Sequence, residues 1–177
     1  MLQELLAVTA EDARGRLDRY LDCLQRWSEK INLTGAETKE GAFETLVLPV
    51  LGAETLLAGP VIDVGSGNGS PGLILAVLRP DLKFTLLEPR AKRWAFLREA
   101  VRKMGVENVS VRRERSDGYQ GTPARTVTMR AVGLDPAALR PLLLPGGCVL
   151  VFGGPSLEGV EVLRLPAGST VRRQCFT

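Results

Sequence analysis

Apolar residues recur at three- and four-residue spacing through Leu17, Tyr20, Leu21, Leu24, Trp27 and Ile31. This is one stripe of an amphipathic helix, with Asn32 and Gly35 marking its exit. A second helical pattern covers residues 40–57 through Phe43, Leu46, Val47 and Leu51, and Pro49 should bend or interrupt it. The period then changes. Short apolar runs at residues 61–64, 84–87, 109–111, 126–132 and 148–152 have strand length. Between them, residues 90–104 read as a helix with Trp94, Leu97 and Val101 on its apolar side and Gly105 as its C-terminal glycine. Asp135-Pro136 is a cap followed by proline at the first helical position, opening a helix to about Leu143. Pro145-Gly146-Gly147 predicts a turn, and residues 160–165 and 171–176 a closing antiparallel pair. Strands alternating with helices predict an α/β fold: a doubly wound, mostly parallel sheet with helices on both faces and an antiparallel C-terminal strand. A chain of 177 residues is one globular domain, here a helical extension (1–58) packed on a core (59–177).

The chemistry concentrates between the first two strands. Val61-Ile62-Asp63-Val64-Gly65-Ser66-Gly67-Asn68-Gly69-Ser70-Pro71-Gly72 takes a buried strand sharply into a helix while its backbone can lie against a ligand. Glu88 ends the next apolar run, so it should face the glycine loop across adjacent strand tips and accept hydrogen bonds from ribose hydroxyls. Gly67-x-Gly69-x-x-Gly72 matches the dinucleotide pattern, but Asp63 tilts the reading. A carboxylate pointing into the pocket there would repel a pyrophosphate and attract the ammonium of a methionine moiety. The layout favours S-adenosylmethionine over a dinucleotide.

Composition narrows the class. No apolar stretch approaches the ~18–20 residues of a membrane span. Glu4, Glu11 and Asp12 at the N-terminus argue against a secretory signal, so the cytoplasm is the expected compartment. Cys23, Cys148 and Cys175 form no C-x-x-C pair, so neither a disulfide framework nor a metal site is expected. The chain has no histidine, which removes the commonest general base and metal ligand. Net charge is only +3, yet residues 1–78 hold six Lys/Arg against eleven Asp/Glu and residues 79–140 fourteen against seven. The basic part, with Arg90, Lys92, Arg93, Arg112 and Arg113 foremost, suits a polyanion such as RNA.

Trp27-Ser-Glu-Lys-Ile-Asn-Leu-Thr34, the block Asp63–Gly72, Leu87-Glu88 with residues 92–97, Gly105 to Val109, and Arg130-Ala131-Val132 occur in one order. Together they resemble the ribosomal RNA small subunit methyltransferase G family, also called glucose-inhibited division protein B, over roughly residues 17–154. The resemblance implies a class I methyltransferase that moves a methyl group from S-adenosylmethionine to N7 of a guanine in small-subunit ribosomal RNA. Guanine N7 has a lone pair and no proton, so the reaction suits a chain without histidine, and no catalytic residue is singled out. By the same resemblance Gly65 and Ser70 are cofactor contacts, Ser116-Asp117 meet the adenine and Arg130 closes the pocket. With Asp63, Gly67, Gly69 and Glu88 they make up the expected cofactor site. The expected partner is small-subunit RNA, bound by a monomer. The chain departs from the family at Leu46, Pro49 and Val50, where His-x-x-Asp-Ser is usual. Arg125 stands where an acid is usual, and Gly153 where a lysine is. These positions lie mostly on the substrate side. A methyltransferase with another small-molecule or protein acceptor, and a cofactor-binding protein without catalysis, are the alternatives.

Overall fold

The computed structural model describes residues 2–154 and 160–177, with side chains from residue 11 onward. The sheet is built from β1 (Val61–Val64), β2 (Phe84–Leu87), β3 (Val109–Arg112), β4 (Ala124–Arg130), β5 (Leu143–Phe152), β6 (Glu161–Arg164) and β7 (Thr170–Cys175), in the order β3-β2-β1-β4-β5-β7-β6. β1 to β5 are parallel, and β7 runs antiparallel between β5 and β6. The order reverses between β1 and β4, which opens a crevice at their C-terminal tips.

Strand alternation divides the core in two. Val61, Phe84, Leu86, Leu150 and Phe152 face one way, under α1 (Leu2–Ser28), α3 (Gly72–Leu78) and α4 (Ala91–Met104). The predicted stripe of α1 holds: Leu17, Tyr20, Leu21 and Leu24 are buried. Trp27 meets Phe96 of α4 edge-on at 6.0 Å between centroids, and its Nε1 donates to Glu99 Oε2 at 3.2 Å. Gly105 ends α4 in the left-handed conformation expected of it. On the other face Ile62, Val64, Leu87, Val127, Met129, Val149 and Val151 pack on Leu139 and Leu142. The cover there is a 3-10 segment, Pro136–Leu142, rather than the α-helix expected from Asp135. The cap forms, with Asp135 accepting from the Ala137 amide, but Pro141 denies the segment α-helical hydrogen bonding. Among the described residues, α-helices therefore lie against one face only.

Other expectations need adjustment. The pattern over residues 40–57 breaks into α2 (Lys39–Ala42), a π-turn (Phe43–Val47) and two 3-10 turns (Leu48–Val50 and Ala53–Leu56), because Pro49 removes a donor mid-run. Residues 145–147 lie inside β5 as an excursion rather than a separate turn: pairing with β4 jumps from Ala124↔Leu143 to Thr126↔Cys148. β4 stops at Arg130, since Ala131 takes φ +52° and leaves the ladder. The expectation of no disulfide is also corrected. Antiparallel pairing sets Cys148 opposite Cys175, and the two are joined as a disulfide, while Cys23 is free and buried. Nothing in their sequence spacing reveals a cross-strand register.

Candidate functional site

The C-terminal tips of β1, β2 and β4 converge because their registers align Val64 with both Leu87 and Met129. The chain leaving β1 is tied to β2 at once, the Gly65 and Ser66 amides donating to the Leu87 carbonyl at 2.9 and 3.1 Å. Gly65 and Gly67 then take φ of +66° and +49°, the left-handed region that favours glycine. That turn aims the Gly67 amide at Glu88, whose Oε2 accepts it at 2.9 Å while Oε1 accepts from the Arg90 amide at 2.8 Å. The sequence expectation that Glu88 faces the glycine loop holds. Glu88 is buried, one oxygen held by the loop and the other by the start of α4.

Two cavities flank this junction and share Gly65. One is a polar cleft of about 650 Å³ lined by Thr34, Thr45, Gly65, Gly67, Ser70, Arg93 and Arg130, among others. The second is a smaller, mostly apolar slot of about 240 Å³ between Leu87, Pro89, Ser116, Val132 and Leu134. Ser70 and Arg130 belong together as expected: Arg130 Nη1 donates to Ser70 Oγ at 2.7 Å, and Nη2 to the Thr45 carbonyl at 2.7 Å. Ser70 Oγ in turn donates to the Leu46 carbonyl at 2.7 Å. Arg130 thus ties the π-turn to the glycine loop, and its burial pushes its pKa below the ordinary arginine value.

Three expected site residues stand elsewhere, and a fourth, Glu88, is buried beside the loop and lines neither cavity itself. Asp63 does not reach either cavity. Alternation along β1 turns it to the helical face, where it is fully buried beneath Gly72, and Oδ1 accepts from Thr128 Oγ1 at 2.6 Å. Its Oδ2 has no hydrogen-bond partner among the described residues. Burial pushes the pKa up to about 7, against the opposing hydrogen bonds from Thr128 and Ser66. Gly69 is likewise under the loop, where an added Cβ would come within 2.8 Å of Leu73 Cδ1 and 3.3 Å of Tyr20. Asp117 points to solvent and pairs with Arg115 at 3.2 Å, leaving Ser116 to line the slot.

Sequence reasoning missed the residues that hold the loop from outside. Tyr20 is fully buried and its hydroxyl donates to the Asn68 carbonyl at 2.8 Å. Desolvation raises its pKa. Asn68 Nδ2 donates to the Leu33 carbonyl at 3.1 Å, and its Oδ1 accepts from the Ser70 amide at 3.1 Å. The helical stripe made Tyr20 look like core alone, and only its hydroxyl, which needs a partner when buried, could have signalled more.

The expected basic residues sit at the end of β3 and the start of α4. Arg112 ends β3, Arg113 follows it, and Arg90, Lys92 and Arg93 sit at the start of α4. Among the described residues none of Arg90, Lys92, Arg112 and Arg113 pairs with a carboxylate. Arg93 reaches the Asn32 carbonyl at 3.5 Å. Lys83 lies at the N-terminal end of β2, away from the strand tips, in a cleft it shares with Glu107 and Asn108. No described helix is long and apolar enough to cross a membrane.

Comparison with known proteins fits this architecture. A solved S-adenosylmethionine-dependent methyltransferase from Aquifex aeolicus superposes with a TM-score of 0.57 at 15% identity, over 77% of this chain and 93% of that one. The fold is thus the class I methyltransferase, Rossmann-like sheet preceded by a helical segment. Ribosomal RNA small subunit methyltransferase G of Halorhodospira halophila is 34% identical over 99% of this chain and 91% of its own length. The protein of that name from Neisseria meningitidis serogroup C is 36% identical over 92% and 81%. The family model described as rRNA small subunit methyltransferase G matches residues 14–161, and the chain belongs to that family.

Proposed function

We propose that this protein transfers a methyl group from S-adenosylmethionine to N7 of a guanine in small-subunit (16S) ribosomal RNA, acting as a cytoplasmic monomer. The observation that carries the reading is Glu88 seated against the amide of Gly67, which lines the polar cleft, between Leu87 and Pro89, which line the apolar slot. A nucleoside joined to a charged amino acid needs those three environments in that order. The cofactor's adenine fits the slot beside Ser116, its ribose fits against Glu88, and its methionine end fits the cleft between Gly65, Gly67, Ser70 and Arg130. Asp63, Gly69 and Asp117 act at one remove, by shaping the loop and the rim. Residues 1–58 serve as an extension that braces the glycine loop through Tyr20 and Leu33.

Bound there, the cofactor supplies an electrophilic sulfonium methyl. Held by Gly65, Gly67, Ser70 and Arg130, that methyl would be open to the guanine N7 lone pair, the new carbon–nitrogen bond replacing the carbon–sulfur bond with no proton to be moved. The chain's task is alignment and electrostatics rather than acid–base work, which agrees with a sequence that has no histidine. Arg90, Lys92, Arg93, Arg112 and Arg113 present the basic surface on which an RNA backbone would lie.

Incubating unmodified small-subunit RNA with methyl-tritiated S-adenosylmethionine tests the proposal. Label should enter the RNA with the wild-type protein and be lost with Glu88→Ala. An unlabelled RNA beside a labelled protein or small molecule would overturn the RNA assignment.

A further inference from the structure

The polar cleft is larger than the cofactor needs. Adenine fits a slot of about 240 Å³, and the methionine end of S-adenosylmethionine has fewer non-hydrogen atoms than adenine. The cleft holds about 650 Å³, so more than half of it is left for a second occupant. Its walls have two main sources. Gly65, Gly67, Ser70, Arg93 and Arg130 form the side proposed for the cofactor, and residues 33–36, Gly41 and residues 44–46 of the helical extension supply the rest.

That second wall is tied down along its length. The Leu33 carbonyl accepts from Asn68, and the Thr45 and Leu46 carbonyls accept from Arg130 and Ser70. Lys39, between those ends, pairs with Asp18 and Asp22 of α1, both at 2.6 Å. The wall is therefore fixed before a ligand arrives, which spares the cost of ordering it on binding. Glu44, in the π-turn, is the one acidic residue lining the cleft among the described residues. It is exposed, and its carboxylate has no ion pair or hydrogen bond with them.

Resting on the proposed methyl transfer, we infer that this outer part of the cleft receives the acceptor guanine and that Glu44 reads its N1–H and N2 amino groups. A carboxylate repels phosphate and only accepts hydrogen bonds, so in a cleft that admits RNA it suits a base edge that donates. Guanine is the RNA base with two adjacent donors, N1–H and the N2 amino group. Both lie on the six-membered ring, across the base from N7, so a group that holds them leaves N7 open to the methyl. As N7 gains the methyl, the ring becomes cationic and N1–H more acidic. A hydrogen bond from N1–H to a carboxylate therefore strengthens in the transition state, where it favours transfer.

The test pairs a protein change with a substrate change, once mass spectrometry has located the methylated guanine. Transcripts carry either guanine or inosine at that position, the latter keeping N7, O6 and N1–H and lacking only the N2 amino group. Wild-type kcat/KM should be roughly ten- to a hundredfold lower on the inosine transcript, the worth of one hydrogen bond to a charged group. Glu44→Ala should lose at least that much on guanine and act equally on both transcripts. Because Glu44 is exposed, the substitution leaves the fold in place, and unchanged S-adenosylmethionine affinity by calorimetry verifies it. A structural role alone would lower both transcripts equally and keep the preference for guanine, and that result overturns the assignment. A wild type indifferent to the N2 amino group overturns it as well. A wild type that methylates no guanine overturns the function itself, whereas discrimination surviving in Glu44→Ala overturns only the acceptor site.

Discussion

Glu88 holds two backbone amides in the present conformation, those of Gly67 and Arg90. A ribose would add its hydroxyls to oxygens already oriented. Replacing Glu88 with alanine should weaken S-adenosylmethionine binding by roughly 1–3 kcal/mol, the range for charged hydrogen bonds. Calorimetry decides it, and unchanged affinity would remove Glu88 from the site. Asp63 makes a different forecast. Folding raises its pKa to about 7 from 3.8, so the native state holds a proton that the unfolded chain releases. Between those values stability falls as pH rises, because ionising the buried acid is the cost. Below about pH 4 both states are protonated, and above about pH 7 the penalty is complete. Asp63→Asn should therefore gain stability relative to wild type across pH 4 to 7 and level off beyond, measured by urea unfolding. A difference that does not change with pH would mean that Asp63 titrates normally. These residues also show what a sequence discloses. An acid within a strand just before a glycine loop is visible in the chain, but whether it faces the ligand or the helix depends on strand phase, and Asp63 faces the helix.

At the scale of elements, α3 sits so close to β1 and β2 that Gly72 has no room for a side chain. A Cβ there would come within 2.5 Å of Leu86 Cδ2 and 2.6 Å of Asp63 Oδ2, both fully buried. Gly72→Ala should cost about 1–3 kcal/mol through overpacking, read from a shifted urea midpoint, and a neutral effect would mean that the helix can slide. The Cys148–Cys175 bond closes a loop of 27 residues in sequence separation between β5 and β7. Reducing it should lower stability by about 3 kcal/mol on the chain-entropy estimate. Thermal melts with and without reductant would reveal it, and identical melts would exclude a stabilising bond. Periodicity predicted α4, the C-terminal half of α1 and the place of every strand, though it read the start of β5 as a helix end and a turn. It failed over residues 40–57 and 136–142, where apolar spacing is helical but Pro49 and Pro141 forbid α-helical bonding. Those irregular segments matter to the site, since the Thr45 and Leu46 carbonyls freed in the π-turn are what Arg130 and Ser70 bind.

Across the whole molecule the glycine loop was more legible than the cavities at the far strand tips. Glycine, serine and acid at fixed spacing dictate a loop and a strand tip locally. The slot at the tips of β4 and β5 is lined in part from β7, and that meeting depends on an antiparallel register that sequence patterns do not encode. Charge segregation is legible too, and it forecasts binding behaviour. RNA affinity should fall steeply between low and physiological salt, and each phosphate-contacting residue replaced among Arg90, Lys92, Arg93, Arg112 and Arg113 should reduce the slope by about one. Filter binding at several salt concentrations gives the slopes, and variants matching wild type throughout would move the RNA to another face.

The most direct measurement is mass spectrometry of nucleosides from small-subunit RNA of cells with and without the gene. Methyl transfer at this site predicts one 7-methylguanosine present with the gene, absent without it, and restored by the wild-type protein but not by Glu88→Ala. Identical RNA from both strains would contradict the assignment.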